Sequence, residues 1–167
     1  ALAVIARMLR SLFIHREIRE RGGAYGGFAL YNPEDGVFAF ASYRDPHIVR
    51  TLSVYQEAER FITDGEYDAE DVKESILQVC ADIDRPDPPG QAARKAFYRR
   101  LIGLTDEARK RFKEGLLGLT PDSIRATAGK YFGAEDADRA VAVVSGDDQL
   151  RAANGELGDR SLNVRRI

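Results

Sequence analysis

The 167-residue chain is 44% apolar with a net charge of −2, enough for one domain with a buried core. That charge supplies no overall basic field to recruit nucleic acid or an anionic membrane surface. The one cysteine, Cys80, has no internal disulfide partner, which suits a reducing compartment, and no apolar run reaches membrane-spanning length.

Leu2, Ile5, Met8, Leu9, Leu12 and Phe13 recur at helical spacing and predict an amphipathic helix over residues 1–21. The chain opens on Ala1 already inside that pattern, without a methionine or a capping residue, which reads as a piece cut from a longer protein. The stretch Ile18-Arg19-Glu20-Arg21-Gly22-Gly23-Ala24-Tyr25-Gly26-Gly27 then ends the helix and starts a strand. Gly22 is placed for a left-handed C-cap, and Gly23, Gly26 and Gly27 let other backbone come close. Arg16 has Glu20 and Glu17 has Arg21 at helical spacing, whereas Arg19 finds no acidic partner on its own helix. It is left free to reach elsewhere: to solvent, to a tertiary carboxylate, or to a ligand.

Residues 23–31 and Val37 to Tyr43 read as an antiparallel hairpin across the turn Asn32-Pro33-Glu34-Asp35-Gly36. The pleat is expected to put Phe28, Leu30, Phe38 and Phe40 on a bulky face against helices. Gly27, Ala29, Ala39 and Ala41 would form a shallow shelf between Tyr25 and Tyr43, suited to an extended peptide, a packed partner or more of the parent chain. Asp45-Pro46 opens a helix to about Asp64, stopped by Gly65. Asp68 caps a second one, with Asp71 completing a capping box and Val72, Ile76, Val79, Cys80 and Ile83 inward. After the stiff Arg85-Pro86-Asp87-Pro88-Pro89-Gly90 connector, helices are expected near 91–102, 106–117 and 121–132, capped by Thr105 and Thr120 and stopped by Gly133. Residues 139–145 predict a strand buried on both sides, Gly146 to Asn154 a short helix, and Leu162 to Ile167 at best an edge strand.

A catalytic set is hard to find. The two histidines, His15 and His47, are not at metal-ligand spacing, so a zinc site fails. The glycine-rich stretch misses the dinucleotide fingerprint, Gly129-Lys130-Tyr131 is no phosphate loop, and there is no nucleophile elbow. Cys80 reads as a small core hydrophobe.

The run Ile18 to Gly26, with Phe40-Ala41-Ser42-Tyr43-Arg44-Asp45-Pro46 and Thr51-Leu52, resembles the last domain of the presequence-protease branch of the M16 zinc metallopeptidases. The likeness continues more weakly through Gly103-Leu104-Thr105-Asp106-Glu107 to residues 140–145. It implies an α+β fold of two layers, a mainly antiparallel sheet with helices on one face (the LuxS–MPP-like metallohydrolase fold), here shortened at its N-terminal end. Family members close two halves around a peptide. The resemblance places zinc, its ligands and the general-base glutamate in a first domain absent here, so this chain alone is expected to be inactive. It implies that Arg19 and Tyr25 reach the substrate backbone near the scissile bond, with Gly22, Gly23 and Gly26 admitting the peptide. Arg44 either touches substrate, pairs with Asp45 or caps the hairpin. The implied partners are peptide substrates and other domains of the same chain, without nucleic acid or membrane. The location is the cytoplasm if the source is bacterial, and the mitochondrial matrix or plastid if it is eukaryotic. Two other readings stay open: an inactive subunit of a two-chain peptidase, and a plain interaction domain.

Overall fold

The computed structural model describes residues 1–133 and 139–165. Its first helix is the centre of the packing. α1 (Leu2–Met8) runs without interruption into a π-helical segment, Leu9–Glu20. Hydrogen bonds in such a segment span five residues, so side chains realign every four or five positions. Its buried residues follow that count: Leu9, Phe13, Ile14 and Ile18. Val4, Ile5, Met8, Leu9 and Ile14 have 0% exposure. This helix touches the hairpin, α2 (Val49–Asp64), α3 (Ala69–Asp84) and α6 (Pro121–Phe132).

β1 (Gly26–Asn32) and β2 (Val37–Tyr43) pair antiparallel, Gly26 opposite Tyr43 and Asn32 opposite Val37. This register corrects the expected faces. Residues 33–36 connect the paired ends, so each even position of β1 faces an odd position of β2. Phe38 and Phe40 therefore share their face with Ala29 and Tyr31, while Phe28 and Leu30 lie beside Ala41 and Ala39. The first set packs on the helices: Phe40 stacks on Tyr55 at 5.1 Å and Phe38 meets Phe132 edge-on at 5.0 Å. Gly27 and Ala29, expected on an open shelf, are buried. The open face carries Phe28, Leu30, Ala39, Ala41 and Tyr43 instead.

Local signals set most helix ends. Asp45 accepts the His47 N–H at 2.9 Å and the Thr51 hydroxyl at 2.7 Å, so its turn stands before α2 and the helix starts at Val49, later than expected. Gly65 closes α2 in the left-handed region (φ +77°). Asp68 and Asp71 form the capping box of α3, whose Val72, Ile76, Val79 and Cys80 are buried. α4 (Pro89–Leu101) begins on its proline and buries no residue; Tyr98 ties it to the hairpin turn by donating to Glu34 at 2.9 Å. Thr105 and Thr120 cap α5 (Asp106–Leu117) and α6, and α7 spans Asp147–Leu157.

The strand expected at 139–145 does not form. The run pairs with neither open edge of the described β1–β2 sheet, and Val141 and Val144 are 54% and 89% exposed. Residues 161–165 also lack strand structure, and 166 and 167 lie outside the described residues. The result is a helix-rich α+β arrangement: a two-stranded antiparallel sheet with helices on one face.

A Cβ added at Gly27 would lie 2.8 Å from both Ile14 and Ile18, so strand and helix pack closely only around a glycine. Gly27→Ala is expected to cost about 1–3 kcal/mol through overpacking, read as a lower unfolding midpoint in denaturant. Gly90→Ala, whose Cβ meets no atom within 4 Å, is the control and leaves the midpoint unchanged or slightly raised.

Candidate functional site

The site is built where the π-helical segment ends. Arg21 N–H bonds Arg16 O at 2.9 Å, Gly23 N–H bonds Arg19 O at 3.1 Å, and Ala24 N–H reaches back to Ile18 O at 3.1 Å. This closure is of the Schellman type, lengthened by one residue because the helix is wound wider. The extra residue explains a second correction: Gly23 (φ +77°), not Gly22, takes the left-handed position. Gly22 is needed for another reason, since a Cβ there would sit 2.5 Å from the Ile18 carbonyl oxygen. Gly26 is buried beneath the Phe28 ring, which a Cβ would meet at 3.0 Å.

Arg19 is exposed on the last helical turn. Its Nη1 lies 2.9 Å from His15 Nε2. A guanidinium can only donate, so Nε2 is the acceptor and the His15 proton sits on Nδ1, 3.4 Å from a Glu20 oxygen. The wider winding thus gives Glu20 to His15, not to Arg16 as helical spacing suggested. Arg16 turns to Glu17, which also holds Arg21, both at 2.9 Å. Among the described residues Arg19 has no carboxylate partner.

Tyr25 is 71% exposed. Its N–H bonds Tyr43 O at 3.1 Å, while its ring meets that of Tyr43 edge-on, centroids 6.0 Å apart. Among the described residues its hydroxyl has no hydrogen-bond partner. Arg44 lies across both rings, its guanidinium carbon 5.9 Å from the Tyr25 centroid and 5.5 Å from that of Tyr43. The backbone of Arg44 takes φ +49°, a left-handed conformation that costs a residue with a Cβ about 1–2 kcal/mol. Of the three alternatives for Arg44, the pair with Asp45 is not made, and Asp45 serves the turn before α2. Arg10 reaches over Phe28 at 5.3 Å. The structure thus gathers Tyr25, Tyr43 and Arg44 into one contact set, while Arg19 ends the helix leading into the same turn. Sequence reasoning read Tyr43 only as the end of a shelf and passed over Arg10; the strand pairing of Tyr43 with Gly26 is the signal that places it.

The outward groups are hydrogen-bond donors on a glycine-rich rim. Among the described residues no group of three or more His, Cys, Asp or Glu is placed to hold a metal, so the donor set does not fit zinc. Cys80 is buried, and His47 stands exposed beside the Asp45 turn. No helix is long and apolar enough to cross a membrane among the described residues.

These features define a helix-rich α+β domain that presents hydrogen-bond donors where its first helix turns into the hairpin. The chain belongs to the family described as the PreP C-terminal domain, whose model matches residues 1–145. It is 36% identical over 149 residues to the mitochondrial presequence protease of Xenopus laevis, covering 89% of this chain and 14% of that protein. It is 41% identical over 131 residues to the mitochondrial presequence protease of Yarrowia lipolytica, covering 78% of this chain and 13% of that one. It is 33% identical over 153 residues to presequence protease 1, chloroplastic/mitochondrial, of Arabidopsis thaliana, covering 92% and 14%. The chain therefore spans only a small part of the length of these relatives.

Burial pushes the Glu17 carboxyl up, but hydrogen bonds and charge from Arg16 and Arg21 outweigh it and hold the group below its ordinary value of 4.5. The folded chain keeps this carboxylate charged where the unfolded chain has already bound a proton. Its contribution to stability is full above the ordinary value and is lost as pH falls through the lower, folded value. Glu17→Gln is expected to lower the melting temperature near pH 7. The gap to the unsubstituted protein should narrow below about pH 4.5 and close in stronger acid, as melts recorded across that range will show.

Proposed function

We propose that this chain is the C-terminal domain of an M16-type zinc metalloendopeptidase that degrades peptides in a closed chamber. In this reading Arg19 and Tyr25 hold the substrate backbone and stabilise the scissile carbonyl. Membership of the PreP C-terminal domain family supports the placement in a protease, as do relatives named presequence proteases. The observation that carries the roles is the state of the two donors: both are exposed, Arg19 without a carboxylate partner and Tyr25 with a free hydroxyl among the described residues.

As a peptide carbonyl is attacked, negative charge develops on its oxygen, and preorganised donors in a site closed to water stabilise that charge more than they stabilise the ground state. A guanidinium and a phenol are suited to this, and a rim built from Gly22 and Gly23 lets an extended backbone lie close. Zinc supplies the chemistry of bond cleavage in this class and is assigned to another part of the parent chain, because the residues here do not fit it. The larger sheet of the M16 fold belongs to the same proposal; the exposed, unpaired apolar run at 139–145 supports a further strand partner. Partners are then peptide substrates and the remaining domains of the parent. The location is a mitochondrial matrix or plastid, as in the relatives' names, or the cytoplasm if the source is bacterial.

In the full-length protease carrying this domain, Arg19→Ala or Tyr25→Phe is expected to lower turnover of a peptide substrate by about 10²–10³-fold without moving the unfolding midpoint. Unchanged turnover in either variant refutes the role of that residue. A large stability loss in its place would assign the residue to the fold.

A further inference from the structure

We propose that Arg44 is a positioning residue: lying across Tyr25 and Tyr43, it holds the Tyr25 ring, and with it the hydroxyl, in the orientation that meets substrate. The inference rests on the role proposed for Tyr25 and adds how that role is kept in place.

A ring that is 71% exposed has little around it to select one rotamer. The Tyr25 ring is met by Tyr43 edge-on at 6.0 Å and by the Arg44 guanidinium at 5.9 Å. Tyr43 is anchored by the ladder, where it pairs with Gly26 and its carbonyl receives the Tyr25 N–H. Arg44 therefore lies against both rings, that of Tyr43 (54% exposed) on the ladder and that of the more exposed Tyr25 just beyond it, and an arginine over an aromatic face is attracted by the ring quadrupole. The backbone points the same way. At φ +49° a glycine or asparagine would serve the turn with less strain, so an arginine here is explained by what its side chain does. Local pairing does not explain it, because Asp45 is engaged with His47 N–H and Thr51, and Arg44 has no carboxylate partner among the described residues. The left-handed turn sets the side chain back over the hairpin end, where the two rings lie.

The test is a double-variant cycle in the full-length protease. Arg44→Gly removes the side chain and relieves the backbone, so the unfolding midpoint should stay level or rise. At the same time kcat on a peptide substrate should fall about tenfold, with KM little changed. Added to Tyr25→Phe, the same change should cost almost nothing further, because the hydroxyl it positions is gone. Unchanged kcat in Arg44→Gly overturns the proposal. So does a double variant whose losses multiply, since that assigns Arg44 a substrate contact of its own. A fall in kcat matched by a fall in the midpoint overturns it in favour of a structural role. If Tyr25→Phe alone keeps full turnover, the role of Tyr25 fails first and this proposal falls with it, an outcome distinct from the other three.

Discussion

The burial of one helix along a stripe of four- and five-residue spacing is the constraint on which the domain rests. Val4, Ile5, Met8, Leu9 and Ile14 are removed from water entirely and Ile18 nearly so, each contributing about 1.5–3 kcal/mol on full burial. The hairpin can reach that stripe only because Gly27 has no side chain to hold it away from Ile14 and Ile18. Packing and site are thereby linked. The winding that lines up the buried stripe also decides which residue ends the helix, and hence how the chain enters β1 past Arg19 and Tyr25.

The same winding arranges the charges. Glu17 is occupied by Arg16 and Arg21, and Glu20 faces the proton-bearing nitrogen of His15, whose other nitrogen receives Arg19. Each nearby carboxylate of the helix is thus engaged, and among the described residues the cation at the rim has no carboxylate partner. Leaving a guanidinium and a phenol exposed adds little to stability, while a strained Arg44 subtracts from it. Groups held in such a state are what the role proposed for Arg19 and Tyr25 calls for.

What could be read from the sequence was local chemistry. Asp68 with Asp71, Thr105, Thr120 and Gly65 each act within one turn of the chain, and each sits where its side chain or its missing Cβ requires. The lone status of Arg19 was also legible, because it depends on neighbours along one helix. Features that depend on distant parts were not. Gly22 was preferred to Gly23 because the wider winding is set by packing and not by propensity. The run 139–145 has strand composition, yet a strand exists only with a neighbour to pair with. The stack of Arg44 on Tyr25 rests on a single backbone angle that no residue pattern announces.

The connection at residues 33–36 has a further meaning. Because the pleat alternates, removing or inserting one residue there would exchange the two sides of β2 relative to β1. Phe38 and Phe40 would swing into water, and two alanines would be left to fill the space against Phe132 and Tyr55. Homologous loops should accordingly tolerate changes of character at these positions far better than changes of length by a single residue.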